Sequence, residues 1–156
     1  MRVTGGRLSG LRVKTPRGII RPAMDRMRES AFARMEALGL LSASFADCFA
    51  GSGIVGIEAF SRGASPVCLV ERDRGKKNVL LDNLELADMQ AAQVRLMPVE
   101  TWVSRDRGAW RTIWLDPPFP YAHRQDLLNR LSRSRALSAA SGATVVLHLP
   151  SQDRVS

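Results

Sequence analysis

Short apolar runs alternate with helical patterns from residue 45 onward, and this alternation predicts an α/β fold. Buried strands are predicted over residues 45–50, 66–71, 92–96, 109–115 and 143–149. Helices are predicted over residues 54–62, 76–89 and 124–137. Because strands separated by helices imply βαβ units, we expect a mostly parallel sheet flanked by helices.

The first 40 residues follow a different pattern, in which turn signals separate small apolar and basic groups. The turn signals lie at residues 5–6, 9–10 and 16–18. They predict a small basic β-hairpin or extended arm. A helix is predicted to start at Asp25, a good N-cap residue, and to end at Gly39. Its core-facing residues would be Phe32, Met35 and Leu38.

Length and these two patterns suggest how the chain is organised. At 156 residues it is long enough for one domain with a real core. We expect residues 1–40 to form the arm and helix, and residues 41–156 to form the main unit, within one compact domain overall.

Charge is the one unusual feature of the composition. The chain has 23 Lys and Arg against 15 Asp and Glu, which gives a net charge of +8. A basic surface attracts polyanions, and nucleic acid is the most obvious of them.

Cysteine, histidine and hydropathy patterns argue against several other classes. Cys48 and Cys68 fall inside apolar runs, so they are predicted to be reduced core residues of a cytoplasmic protein. His123 and His148 are far apart and lack neighbours at metal-ligand spacing, so no metal site is expected. No apolar run approaches the ~18 residues of a membrane span.

A G-x-G-x-x-G pattern, made by Gly51, Gly53 and Gly56, lies between the first strand and the next helix. Glycines there let the backbone turn tightly and let a ligand approach it. Glu71 ends the next strand, where a carboxylate can accept hydrogen bonds from both ribose hydroxyls of a nucleoside. A nicotinamide dinucleotide or S-adenosylmethionine would fit such a loop. Asp47 favours S-adenosylmethionine. An acid at that position would repel the pyrophosphate of a dinucleotide, but it can organise the ammonium group of the methionine, directly or through water.

The sequence Asp116-Pro117-Pro118-Phe119 follows the fourth predicted strand, where a parallel sheet opens its ligand crevice. Asp116 and the Pro117 carbonyl can accept hydrogen bonds from an exocyclic amine, and Phe119 offers a stacking face to a base. Pro-Pro also marks ordinary turns. This loop has no role in hydride transfer from a nicotinamide dinucleotide. The glycine loop and the D-P-P-F loop together therefore favour S-adenosylmethionine.

These motifs resemble the class I S-adenosylmethionine-dependent methyltransferases that act on exocyclic amines, which implies a Rossmann-like fold. The stretch R-P-A-M-D-R-M-R-E at residues 21–29 is more specific and resembles the RsmD family. The likeness covers roughly residues 2–149 and includes G-G-R at 5–7, E-A-F-S-R-G-A at 58–64, Asn78 and Asn83. That family methylates N2 of a guanine in small-subunit (16S) ribosomal RNA.

The resemblance implies S-adenosylmethionine as cofactor, and small-subunit ribosomal RNA or the assembled small-subunit particle as partner. The implied cofactor-binding residues are Asp47, Phe49, Ala50, Gly51, Ser52, Gly53, Glu71, Arg72, Met97 and Pro98. The implied catalytic residues, at the target-base site, are Asp116, Pro117, Pro118 and Phe119. The implied RNA-binding residues are Arg7, Arg12, Lys14, Arg21, Arg26 and Arg28.

Two departures from the family pattern affect these expectations. Met97 and Pro98 align where the family usually has an Asp or Asn for the adenine amine and an N–H for the ring. Losing such hydrogen bonds costs about 1 kcal/mol each, so we expect weak cofactor affinity. The chain also stops soon after the fifth strand, so we expect the C-terminal strands of a seven-stranded sheet to be missing or shortened.

Three alternatives stay open. Met97 and Pro98 favour a non-catalytic RNA-binding relative. The D-P-P-F motif is shared with amino methyltransferases that act on adenine N6 of another nucleic acid. The glycine pattern alone would suit an NAD-dependent oxidoreductase. We expect the protein to be a monomer without metal.

Overall fold

The structure, a computed structural model, describes residues 1–16, 22–138 and 142–150 of the chain. Its strands are β1 (Phe45–Cys48), β2 (Val67–Val70), β3 (Gln93–Arg95), β4 (Thr112–Leu115) and β5 (Thr144–Leu147). Its helices are α1 (Pro22–Ala37), α2 (Ile54–Ser61), α3 (Lys77–Leu86), α4 (Val99–Arg105), α5 (Arg124–Arg133) and α6 (Arg135–Ser138). A 3-10 turn, Arg74–Lys76, precedes α3.

The five strands form one parallel sheet in the order β3-β2-β1-β4-β5, which confirms the predicted α/β class. Phe45 of β1 pairs with Val67 on one side and Thr112 on the other. Every residue of β1, β2 and β4 is buried, because helices cover both faces of the sheet. The strand order reverses between β1 and β4, so their carboxyl ends border the crevice where such sheets bind ligands.

Two hydrophobic clusters, one on each face, hold the helices to the sheet. The first joins α1, α2 and α3 to it through residues such as Phe32, Ile57 and Leu80. The second joins α4, α5 and α6 to it through residues such as Trp102 and Leu127. The loops after β1 and β4 therefore leave strands that are held from both sides.

The N-terminal arm, residues 1–16, folds back on itself beside α2 and α3. One antiparallel bridge joins Arg2 to Arg12, and no longer strand forms in the arm. Asn83 of α3 accepts from the Lys14 N–H and donates to the Lys14 and Ser52 carbonyls, each at 2.8 Å. One buried amide therefore links the arm to the glycine loop.

The first helix differs from its prediction at both ends. It begins at Pro22 rather than Asp25, whose carboxylate bonds Arg28 instead of capping the helix. Leu38 was predicted to face the core, but it is 59% exposed. The helix ends at Ala37 and Gly39 turns the chain with φ 72°, which carries Leu38 to the surface.

The helices on the other face of the sheet, α4 to α6, also differ from their predictions. No helix was predicted between the third and fourth strands, yet α4 occupies that place behind Pro98. The predicted helix over residues 124–137 is interrupted at Ser134, whose hydroxyl donates to the Leu131 carbonyl. Side-chain bonds of this kind compete with helical backbone bonds, which explains the break.

Cys48 and Cys68 are free and buried, as predicted. Burial raises the pKa of Cys68 to about 12, so that thiol is not a ready nucleophile. Within residues 1–16, 22–138 and 142–150, none of the helices has the length and apolarity needed to cross a bilayer. The same residues contain no group of three or more His, Cys, Asp or Glu placed to hold a metal ion.

Candidate active site

The glycine loop leaves β1 through backbone conformations that favour glycine. Gly51 and Gly53 have φ of 56° and 84°, and Phe49 also has a positive φ of 66°. A Cβ on Gly53 would lie 2.6 Å from Leu80 Cδ1, so the loop packs directly on α3. The Ala50 N–H donates to the Val70 carbonyl at 2.9 Å. The loop is thus fixed between β2 and α3.

Asp47 supports this loop from beneath. Its side chain is buried, and its Oδ2 accepts a hydrogen bond from the Gly56 N–H at 2.9 Å. Burial raises the pKa of Asp47 to about 8, although the Gly56 N–H acts in the opposite direction. The negative charges of Asp116 and Glu71 add to the increase. At neutral pH this carboxyl therefore favours its protonated form until a cation comes near.

Glu71 connects the ends of β1 and β2. Its Oε2 accepts from the Gly51 N–H and its Oε1 from the Asp73 N–H, both at 2.8 Å. Each carboxylate oxygen has a second lone pair, so the group can still accept ligand hydroxyls. Arg72 is exposed beside it and lines the same cavity.

The D-P-P-F loop lies across the crevice from Glu71. The Asp116 N–H faces the Cys48 carbonyl of β1 at 3.4 Å, which ties the start of the loop to the neighbouring strand. Asp116 Oδ1 lies 2.8 Å from Nδ1 of His148, the residue that follows β5. The His148 ring stacks on Trp114, with centroids 6.5 Å apart and planes at 25°. Three strands thus position one half-buried carboxylate.

A cavity of about 580 Å³ joins these groups. Glu71 and Arg72 line one side, and Asp116 and Pro117 line the other. The cavity therefore brings the predicted ribose acid and the predicted target-base acid into one space. Phe49 brings the start of the glycine loop to the same cavity, and two carboxylates in one space fit a nucleoside that carries a cation.

Tyr121 forms part of the cavity wall, together with Glu100, the acid at the start of α4. The Tyr121 hydroxyl donates to the Glu100 carboxylate, and its ring meets Phe49 edge-on with centroids 5.4 Å apart. Burial raises the pKa of Tyr121, and the Glu100 contact reinforces the shift. Tyr121 is thus a neutral hydrogen-bond donor held between Glu100 of α4 and Phe49 of the glycine loop.

Eight predicted cofactor and target-base residues are not among those that line this cavity, namely Asp47, Ala50, Gly51, Ser52, Gly53, Met97, Pro98 and Phe119. Phe119 is 70% exposed and borders a smaller recess beside Pro118 and His148. Met97 packs on the second hydrophobic cluster, and Pro98 caps α4 at the surface. Neither Met97 nor Pro98 is among the residues that line the cavity. Ser52 and Gly53 are buried in the loop, where they shape the backbone.

The predicted RNA residues are distributed unevenly. Arg7, Arg12 and Arg26 are exposed, and the Arg7 guanidinium lies 4.9 Å from the Phe60 ring centroid. Lys14 is exposed but pairs with Asp82 at 2.8 Å. Arg21 lies outside the described residues.

Arg28 is placed differently from the other predicted RNA residues. It is buried, and it pairs with Asp25 at 2.7 Å and Glu58 at 3.2 Å and donates to the Arg2 carbonyl. Burial alone raises the pKa of Asp25, but the bond and charge of Arg28 outweigh it, so the net shift is downward. These contacts favour a role for Arg28 in fixing the arm rather than in contacting a phosphate.

Sequence reasoning missed His148, Tyr121 and Glu100 as site residues. A polar residue at the carboxyl end of β5, next to the crevice, was the available signal for His148. Tyr121 and Glu100 meet only through the tertiary fold, 21 positions apart.

Comparisons with known proteins agree with this architecture. The family model described as Conserved hypothetical protein 95 matches residues 1–155. Ribosomal RNA small subunit methyltransferase D of Escherichia coli (strain K12) is 31% identical over 132 residues, 84% of this chain and 66% of that protein. YlbH of Bacillus subtilis (strain 168) is 33% identical over 143 residues, 88% of this chain and 77% of its own.

A solved structure of a hypothetical protein from Thermus thermophilus matches with a TM-score of 0.86 at 28% identity. The match covers 99% of this chain and 89% of that one, so the fold is shared almost throughout. The chain spans 66% of the length of the Escherichia coli relative. Given the family match and these relatives, the chain belongs to the Conserved hypothetical protein 95 family, that of ribosomal RNA small subunit methyltransferase D (RsmD).

Proposed function

We propose that this protein transfers a methyl group from S-adenosylmethionine to the exocyclic N2 amine of a guanine in small-subunit (16S) ribosomal RNA. One observation carries the proposal: Asp116 lines a single cavity together with Glu71, which also accepts from the Gly51 N–H of the glycine loop. Such a transfer needs one carboxylate to accept the ribose hydroxyls, the role of Glu71, and another to accept the amine hydrogens, the role of Asp116. A relative that is a ribosomal RNA methyltransferase supports RNA as the substrate.

The cofactor, when bound, supplies a methyl group that a sulfonium already activates for in-line transfer. Glu71 would accept the ribose hydroxyls, and Gly51 and Gly53 would let the backbone approach the ligand. Asp47 would hold the ammonium group of the methionine, directly or through water. Met97 and Pro98 would leave the adenine amine without its usual partners, which lowers affinity.

Asp116 and the Pro117 carbonyl would orient the guanine amine. That amine is a poor nucleophile because its lone pair is delocalised into the ring. Accepting both N–H hydrogens favours a tetrahedral nitrogen, whose lone pair can then point at the methyl carbon. Asp116 also stabilises the positive charge that develops on the nitrogen and eases loss of its proton.

The target base would be unstacked before it enters the cavity. Phe119, whose exposed ring borders the neighbouring recess, would stack on the base as it approaches the cavity. The exposed cations Arg7, Arg12, Lys14 and Arg26 would contact phosphates, with the arm and first helix of residues 1–40 as the RNA-facing part. We expect the protein to act as a monomer, without metal, in the cytoplasm, on ribosomal RNA or the assembled particle.

The direct test is methyl transfer from labelled S-adenosylmethionine to small-subunit particles and to free 16S RNA from cells that lack the gene. Mass mapping of the product should find one N2-methylguanine. Asp116→Ala should lower turnover at least ~100-fold while RNA affinity stays within about threefold. Cofactor binding without transfer would support the non-catalytic relative, and wild-type turnover by Asp116→Ala would refute the mechanism.

A further inference from the structure

A concave groove lies between α4 and α5, on the face of the sheet opposite the N-terminal arm. It encloses about 860 Å³, and five arginines line it against two aspartates. The arginines are Arg105, Arg107, Arg130, Arg133 and Arg135. We call this surface the arginine groove.

Both acids in the arginine groove are already engaged. Asp126 pairs with Arg130 at 2.8 Å. Asp106 accepts from the Trp110 indole N–H at 2.7 Å and from the Gly108 N–H at 3.0 Å. The remaining four arginines are exposed and have no ion pair within the part of the chain that the structure describes. Like charges gathered in one groove repel each other, so an anionic ligand would relieve that repulsion.

The groove begins close to the active site. His123 lines the active-site cavity and caps α5, and Asp126 lines the groove one helical turn later. Arg133 ends the same helix at the far end of the groove. The 10 residues of α5 span about 15 Å, enough to follow a few successive nucleotides of a strand. A strand leaving the cavity could therefore follow α5 to the arginines.

We propose that the arginine groove is a second RNA-binding surface, which takes the sugar–phosphate backbone of the segment next to the target guanine. This rests on the proposed methylation of RNA. Among the described residues that line the groove, Val103 alone is apolar, so the groove lacks the hydrophobic centre of a protein–protein interface. Arginine, by contrast, binds phosphate oxygens bidentately, and Asn129 adds a neutral donor.

The test compares two pairs of substitutions that remove equal charge. Arg107→Gln with Arg133→Gln changes the groove, and Arg74→Gln with Lys77→Gln changes exposed cations outside residues 1–40 that also lack an ion pair among the described residues. Binding of 16S RNA is measured by filter retention between about 50 and 200 mM salt. Arg107→Lys with Arg133→Lys keeps the charge and serves as the rescue.

The groove pair should weaken RNA binding about tenfold and reduce the salt slope by about 1.4, because two single-strand phosphate contacts are lost. The KM for RNA should rise in parallel while kcat is unchanged. The control pair should leave the slope as it is, and the lysine pair should restore it. Unchanged melting temperatures establish that all variants fold.

Two outcomes separate this proposal from the proposed activity. If the wild type methylates RNA and the groove pair behaves like the control pair, the groove proposal is overturned and the activity stands. If the groove pair shows the reduced salt slope but the wild type transfers no methyl, the groove is supported and the activity is wrong.

Discussion

His148 Nδ1 lies 2.8 Å from Asp116 Oδ1, across the boundary between β4 and β5. A carboxylate accepts hydrogen bonds, so the tautomer that suits this contact carries its hydrogen on Nδ1 and donates a hydrogen bond to Asp116. The His148 ring, which stacks on Trp114, therefore holds Asp116, the residue proposed to accept the hydrogen bond from the amine. Positioning of this kind matters because displacements of about 1 Å can cost about 100-fold in rate.

His148→Phe should lower kcat about tenfold, because it keeps an aromatic ring beside Trp114 but removes the donor to Asp116. Affinity for S-adenosylhomocysteine and KM for RNA should stay within about twofold, since His148 contacts neither in the proposed mechanism. Steady-state methyl transfer and calorimetry together measure all three. His148→Asn, which retains an N–H near the Nδ1 position, should recover most of the rate. Equal kcat for the phenylalanine variant and the wild type would remove His148 from the mechanism.

Binding of S-adenosylhomocysteine should release protons near pH 7. Burial raises the pKa of Asp47 to about 8, so the ligand-free carboxyl is mostly protonated there. An incoming ammonium group favours the carboxylate and lowers that pKa. Calorimetry in two buffers of different ionisation enthalpy should give up to about one proton per site, less above pH ~8.

Asp47→Asn is the control, because it should bind with a heat that does not depend on the buffer. The same substitution tests stability. With a folded pKa raised above the ordinary value of 3.8, the folded state binds more protons than the unfolded state between pH ~4 and ~8. The free energy of unfolding therefore falls as pH rises through that window, and the asparagine variant should lack this part of the slope. Identical pH profiles would contradict the buried position of Asp47.

Gly53→Ala should destabilise the protein and weaken cofactor binding. Its Cβ would lie 2.6 Å from Leu80 Cδ1, in a backbone with φ 84°. Gly10 is a matched control, because φ is 88° and nothing lies within 4 Å of its added Cβ. Gly10→Ala should cost about 1 kcal/mol of unfolding free energy from backbone strain alone, and Gly53→Ala about 1–3 kcal/mol more. Equal costs in urea titrations would mean that the loop does not depend on its packing against α3.

Much of the fold could be predicted from the sequence, because strands buried on both faces are uninterrupted apolar runs. The glycine loop and Asp116 were likewise visible, since each follows such a run directly. Met35 was correctly assigned to the core, but Leu38 was not, because helical spacing does not show where a helix ends. The helix α4 was missed because it has only seven residues, too few to show a helical period.

The remaining parts of the site depend on contacts between distant residues. In the sequence, Arg28 looks like any other arginine of a basic segment. Only the fold brings Glu58, 30 positions away, into contact with it. Phe119 and Tyr121 are two residues apart in the same loop, yet the first is exposed and the second lines the cavity. The sequence shows that an aromatic is present, whereas its direction is set by the loop's tertiary packing.

Glu58 should be the residue on which docking of the arm depends. Its carboxylate is fully buried and accepts from Thr4 Oγ1 at 2.6 Å and from the Thr4 N–H at 2.9 Å. Arg28 and Arg62 approach it at 3.2 and 3.4 Å. Glu58 on α2 thus accepts hydrogen bonds from the arm and pairs with two arginines.

Glu58→Gln should lower the free energy of unfolding by about 3–5 kcal/mol, because it removes the charge that two buried arginines share. Urea titration measures that loss, and hydrogen exchange should show faster opening of residues 3–11 than of the sheet. Glu85→Gln, at an exposed position on α3, is the matched control and should stay within about 0.5 kcal/mol. The two arginines keep Asp25 and Glu36 as partners, so the loss should be partial and the sheet should stay folded. Unchanged protection of the arm in Glu58→Gln would mean that its docking depends on Val3 and Val13 in the core instead.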